Sequence, residues 1–279
     1  MALVDVVLQV GAGVFALLAT AAVLVVGPSR LRTAPRTVRS NARAVAPTFA
    51  ALVVVLAANG VIRDIGVELS WLIGLNITGY IHAVEGSTVA VIQSFATPTL
   101  TAYFGFVYIF GYVFLLVFPL AAYAMYEKAR PLRVVLFAYI INYGVGLLCY
   151  ILFVAYGPRN FMPDMVQPLL YNSWPQAQLL TSQVNVNTNV FPSLHTSLSG
   201  TVALLAWRFR DIYPRWTPVA LFLAASIAVS TMYLGIHWAT DVAAGALVAF
   251  ASVEVARRAA ERQERGESLT PSRLQNLRE

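Results

Sequence analysis

The fold class predicted by this sequence is an all-α membrane protein: a transmembrane helical bundle of about six to seven spans with interfacial helices on its outer face. Three observations predict it: the residue balance, the length of the apolar runs, and the way cations are shared among the segments between them. Hydrophobic residues make up 58% of the 279 and charged residues only 11%. A soluble domain carries about 25% charged residues, so this chain lacks the polar surface to face water, and a bilayer is the alternative solvent.

A spanning helix needs about 20 mostly apolar residues. Seven segments approach that rule: Leu3–Val26, Pro47–Ile62, Thr101–Tyr126, Val134–Tyr156, Leu194–Trp207, Trp216–Ile236 and Val242–Val255. The second and fifth are short by their apolar count, and flanking residues such as Arg208 lengthen their reach by snorkelling.

The cations decide orientation. Arg30, Arg32, Arg36, Arg39 and Arg43 follow the first run, and Lys128, Arg130 and Arg133 the third. Arg208, Arg210 and Arg215 follow the fifth, and Arg257, Arg258, Arg262 and Arg265 the seventh. The intervening segments hold little beyond Arg63 and Arg159. By the positive-inside rule the cation-rich segments are cytoplasmic, which places the N-terminus outside and the charged tail inside. The net charge of +6 is thus a membrane-topology signal, and no nucleic-acid partner is expected. The single Cys149 excludes an internal disulfide and a cysteine-based metal cluster.

Two outer segments are long. Within Arg63–Leu100, the mixed stretch Val67–Ala83 reads as one or two helices lying along the outer surface. Gly157–Phe191 is polar, with Tyr171 and Trp174 as interface anchors, and segments of this length carry function or disorder.

Chemistry concentrates at one end of the bundle. His195 opens the fifth run, and the sixth returns to the same side at His237, so one helical hairpin brings two imidazoles together. Asp241 follows His237 by four residues, which on a continuous helix puts both side chains on one face. An imidazole whose second nitrogen is held by a carboxylate is a nucleophile toward phosphorus, and a second, protonated imidazole can supply the leaving oxygen with a proton. The competing readings are satisfied interfacial histidines with Asp241 as a helix cap, and a zinc site made of the same three residues. The zinc reading lacks the HExxH or paired-Cys spacing that would make it specific. Ionisable groups at bilayer depth are functional by default, and no other cluster of them interrupts the runs.

Phe191-Pro192-Ser193-Leu194-His195 resembles the second signature of the type 2 phosphatidic acid phosphatase superfamily. The stretch from Ser230 to Asp241 (STMYLGIHWATD) resembles the third. The Ser193-Leu194 pair and the Met232-Tyr233-Leu234 run resemble the branch similar to inositol phosphorylceramide synthases. The resemblance covers about Leu100 to Val255 and divides the chain into N-terminal spans with an outer interfacial segment (1–100), a catalytic bundle (101–256) and a cytoplasmic charged tail (257–279).

The resemblance implies a metal-independent enzyme without a cofactor, acting on lipid phosphates at the outer leaflet. In it His237 is the nucleophile, Asp241 its orienting partner, His195 the general acid, and Ser193 a phosphate contact. Two expected cation positions differ. Thr231 stands where phosphatase members carry arginine, and the first signature is absent, since Arg130-Pro131 lies in a cytoplasmic segment. Arg159 is the nearest replacement as a phosphate ligand, and Arg63 the next.

These readings lead to a lipid phosphate phosphotransferase working through a phosphohistidine, with a lipid alcohol as acceptor. The alternative is a lipid phosphate phosphatase with water as acceptor. A transporter or non-catalytic scaffold is the reading from another class, and the repeats and broken helices that mark transporters are not visible.

Overall fold

The computed structural model describes residues 2–182 and 187–265. Six of the described helical stretches are long and apolar enough to cross a membrane: Leu3–Val26, Pro28–Gly60, Pro98–Ala124, Arg130–Leu152, Trp216–Tyr233 and Ala239–Glu264. The chain is an all-α, multi-pass integral membrane protein, with strand limited to two-residue pieces among the described residues.

The first span is α1 (Leu3–Ala21) ending in a π-helical turn, Ala22–Val26. Gly27 and Pro28 then start α2 (Pro28–Ile73), which runs without a break for 46 residues. Pro at the first helical position suits an N-terminus because its missing N–H would have no partner there. This corrects two expectations. The arginines Arg30–Arg43 lie on the first turns of a helix, not in a connecting loop. The stretch from Val67 continues α2 to Ile73 before the two-residue strand β1 (Leu75–Asn76) and the short helices α3 (Thr78–Glu85) and α4 (Thr88–Gln93). The arginine-rich turns hold their helical path because the loops beside them supply acceptors and ring faces. Arg30 donates to the Ile212 carbonyl at 3.0 Å and lies over the Tyr126 and Tyr213 rings. Asn41 donates to the Ala124 and Tyr126 carbonyls at 3.0 and 2.7 Å, closing the end of the next span.

That next span is one rod of α5 (Pro98–Phe106), a π-helical turn (Val107–Gly111) and α6 (Tyr112–Ala124). Thr97 caps it by accepting from the Leu100 N–H. Then come α7 (Arg130–Leu152), the strand β2 (Phe153–Val154), short helices α8 (Pro158–Phe161), α9 (Leu169–Ser173) and α10 (Ala177–Thr181), and the spans α11 (Leu194–Arg208), α12 (Trp216–Tyr233) and α13 (Ala239–Glu264). The polar segment after α7 is therefore partly helical. Its half-buried Tyr171 lies under the Arg159 guanidinium, and its half-buried Trp174 stacks on Phe110.

With 15 residues, α11 is too short to read as a spanning helix by itself, and it lies at the centre of the bundle, packed by α7, α12 and α13. Its hydroxyl face explains its weak hydropathy. Asn142 of α7, fully buried, donates to Thr201 at 2.8 Å and accepts from the Ser197 hydroxyl. Such contacts join helices in an apolar medium, where an unpaired polar group is costly. Large side chains fill the layer below, Phe118 against Trp216 at 4.4 Å between centroids. The outward faces of α1, α2, α12 and α13 carry exposed Phe15, Phe49, Phe222 and Phe250, as lipid contact requires.

At the end opposite the arginines, β1 pairs in parallel with β2, and Ala155 bridges to Asn189. The Gln93 amide bonds both Gln167 and the Tyr233 carbonyl. These contacts tie the outer segments to the ends of α7 and α12. The tail beyond residue 265 lies outside the described residues, and its near part extends α13 to Glu264.

Candidate active site

The helix α12 ends in a Schellman arrangement. The Gly235 N–H donates to Met232 and the Ile236 N–H to Thr231, both at 2.9 Å, and the His237 N–H joins the same Thr231 carbonyl at 3.1 Å. Gly235 has φ +72°, and a Cβ there would meet Val166 at 2.7 Å. Glycine is therefore required on both conformational and steric grounds. The turn delivers His237 to the start of α13, whose N-cap is Trp238.

His237 is thus outside α13, and the four-residue spacing to Asp241 does not act along one helix as expected. Asp241 sits three residues into α13 and reaches back over its N-terminus. Its Oδ2 accepts from the Trp238 N–H at 2.9 Å and lies 3.3 Å from His237 Nδ1. The cap and the histidine partner are the same carboxylate oxygen. With the proton on Nδ1, His237 donates to Asp241 and leaves Nε2 with a free lone pair. Asp241 is fully buried and its Oδ1 has no hydrogen-bond partner among the described residues.

Ser193 caps α11, its Oγ accepting from the Thr196 N–H at 3.3 Å. Its own N–H donates to the Asp241 carbonyl at 3.0 Å, so the two motif segments are joined through backbone. Gly245 permits this approach: a Cβ there would stand 2.6 Å from the Ser193 carbonyl oxygen. As the second residue of α11, His195 stacks on Tyr108 at 4.4 Å between centroids and meets the Tyr112 ring at a tilt at 4.2 Å, and its ring centre is 6.3 Å from that of His237. The π-helical turn Val107–Gly111 contains the first of these tyrosines and directly precedes the second; such widened turns cluster at functional sites.

A cavity of about 490 Å³ is lined by His195, His237 and Arg159 together. Its other walls come from α2 (Leu56, Asn59), the α5–α6 rod (Tyr108, Tyr112) and α7 (Tyr143, Tyr150). Arg159 donates from Nη2 to Tyr171 at 3.2 Å, while its Nη1 is buried without a hydrogen-bond partner among the described residues. Its backbone N–H bonds the Gly235 carbonyl at 3.0 Å, fixing α8 to the turn before His237. Of the residues expected at the site, His195, His237 and Arg159 face this cavity. Asp241 stands behind His237, and Ser193 is turned into the cap of α11. The side chain of Arg63 lies outside what is described.

The sequence reading missed Tyr108, Tyr112 and Glu85. The two tyrosines had a signal, a pair of hydroxyl-bearing aromatics four apart inside a span. Glu85 had none, because its partners, the Ala239 and Thr240 N–H groups, are backbone atoms far along the chain. Among the described residues, no set of three or more His, Cys, Asp or Glu side chains converges as a metal site.

Residues 82–255, more than half of the chain, match the PAP2 superfamily, and the chain belongs to it. Membership makes it an enzyme of the phosphatase or phosphotransferase type acting on lipid phosphates. The matched region begins within α3, earlier than the boundary near residue 100 expected from the motifs. No curated protein and no solved structure matches the chain.

Proposed function

We propose that this protein is a lipid phosphate phosphotransferase of the branch similar to inositol phosphorylceramide synthases, working at the non-cytoplasmic face through a phosphohistidine. The observation that carries the reading is the shared cavity: His195 and His237 face one space, with His237 Nδ1 held by a buried carboxylate.

In the first half-reaction His237 Nε2 attacks phosphorus, the P–N bond forms and the P–O bond to the leaving group breaks. His195, protonated, gives its proton to the departing oxygen, and Asp241 stabilises the cationic ring of His237. In the second half-reaction an acceptor hydroxyl loses its proton to His195 while its oxygen attacks phosphorus, and the P–N bond breaks to restore neutral His237. The centroid separation of 6.3 Å leaves room for a phosphoryl group between the rings. Arg159, which lines the same cavity, supports the phosphate through its guanidinium charge. Transfer to a lipid alcohol is favoured by the apolar extension of the cavity along α2 and α7 through Leu56, Leu147 and Ile151, which suits a second hydrocarbon chain. The outward orientation is supported by the arginine-rich segments gathering at the opposite end of the bundle.

The test is to incubate purified protein with a lipid phosphate labelled on phosphorus and quench in base. Acid-labile label on His237 that passes to an added lipid alcohol is the expected result. Label released only as free phosphate makes the protein a hydrolase. No labelled histidine, with turnover unchanged in His195→Ala, removes the phosphohistidine reading.

A further inference from the structure

Glu85 is the last residue of α3, where a negative side chain opposes that helix's own dipole. Its carboxylate serves another helix. Oε2 accepts from the Ala239 N–H at 2.9 Å and Oε1 from the Thr240 N–H at 2.5 Å. With Asp241 Oδ2 on the Trp238 N–H, the three consecutive donors that open α13 are all bound by carboxylates. A helix N-terminus leaves these donors free, and in that state it attracts anions such as phosphate.

We propose that Glu85 is a positioning residue of the active site, clamping the first turn of α13 so that Asp241 holds His237 in the tautomer with Nε2 free. The inference rests on the phosphohistidine reading above. Three physical consequences support it. The contact from Asp241 to His237 Nδ1 is 3.3 Å, long for an N–H···O bond, so a small rotation of the first turn breaks it. A helix N-terminus carries about half a positive charge, and Glu85 offsets it beside a ring that becomes cationic when phosphorylated. The two carboxylates also occupy the donors that a phosphate would otherwise seek, which directs the phosphate to the cavity side of His237, toward Arg159. Glu85 reaches this place from α3, and the Trp238 indole N–H, bonded to the Tyr156 carbonyl at 2.8 Å, holds the turn from its other side.

The experiment compares the full chain in lipid nanodiscs with Glu85→Gln, which keeps the side-chain shape, and Glu85→Asp, which keeps the charge but falls short. Two readouts are taken: steady-state turnover of dioleoyl phosphatidic acid labelled on phosphorus, and the imidazole 15N spectrum of His237 in histidine-labelled protein. Expected for both variants is a fall in kcat of about 10–100-fold with KM within about 2-fold, the pattern of lost orientation at the reacting centre. The His237 signals should move from a single Nδ1–H tautomer to a mixture. Unchanged His237 signals in Glu85→Gln overturn the proposal, as does a kcat within about 2-fold of the parent in a parent that turns over. If the parent itself forms no phosphohistidine with any lipid phosphate, the functional reading fails, and the spectrum still decides what Glu85 holds.

Discussion

At the arginine-rich end of the bundle, charged side chains meet one another near the surface. At the opposite end, the carboxylates of Asp241, fully buried, and Glu85, half-buried, accept from backbone N–H groups. Arg257 of α13 lies 2.8 Å from both Glu254 and Glu261, and Arg130 of α7 reaches Glu261 at 3.0 Å and Glu264 at 3.7 Å. The same helix begins, at its other end, with the Trp238, Ala239 and Thr240 N–H groups on Asp241 and Glu85. Exposed pairs with several partners are worth about 0–1 kcal/mol each and substitute for one another. A buried group bonded to one defined partner costs about 1–3 kcal/mol when orphaned. One helix thus has a redundant end and an end where each atom has a single place, and the proposed chemistry sits at the second.

Substitutions should separate the two ends by size of effect. His237→Gln removes the proposed nucleophile and should lower turnover by about a thousandfold or more, with no labelled histidine after a single turnover. Next in size, Asp241→Asn cannot hold the Nδ1–H tautomer and should reduce kcat by about 10²–10⁴-fold, since the corresponding change in a Ser-His-Asp site has that character. Arg159→Gln should weaken kcat/KM by about 10–100-fold, read from initial rates over a range of lipid phosphate in mixed micelles; an unchanged kcat/KM would remove Arg159 from the phosphate site.

Smaller still, Gly235→Ala should destabilise the fold by about 1–3 kcal/mol, because a Cβ at positive φ is strained and here meets Val166. Thermal unfolding in detergent measures it, and an unchanged midpoint would mean that the turn before His237 tolerates another path. Arg130→Ala, at the redundant end, should shift stability by less than about 1 kcal/mol and leave turnover unaltered. A large loss of activity there would break the contrast between the ends.

Much of this was legible without coordinates, but unevenly. The apolar runs and alternating arginines predicted the spans and their relative directions. The segments from Phe191 to His195 and from Ser230 to Asp241 predicted which side chains share one end. The length of α2 was not legible, because Arg30–Arg43 reads as a loop until Ile212, Ala124 and Tyr126 supply acceptors and ring faces beside that part of the helix. The His237–Asp241 contact was anticipated through the wrong geometry. Spacing alone cannot distinguish neighbours on one helix from a carboxylate reaching back across an N-terminus. Ser193 was expected to contact the phosphate; that its hydroxyl also accepts the cap bond of α11 is decided by the local backbone.

By itself, the sequence determined the membrane class, the order of spans and the presence of two histidines and an aspartate at one end. These follow from composition and period, which are properties of residues taken along the chain. Only the tertiary structure decided that α11 is the buried central helix, that Tyr108 and Tyr112 flank His195, that Arg159 lines the cavity with both histidines, and that Glu85 closes the start of α13. Each of those depends on backbone donors or ring faces from distant segments meeting in space, and such partners leave no mark in the order of the residues.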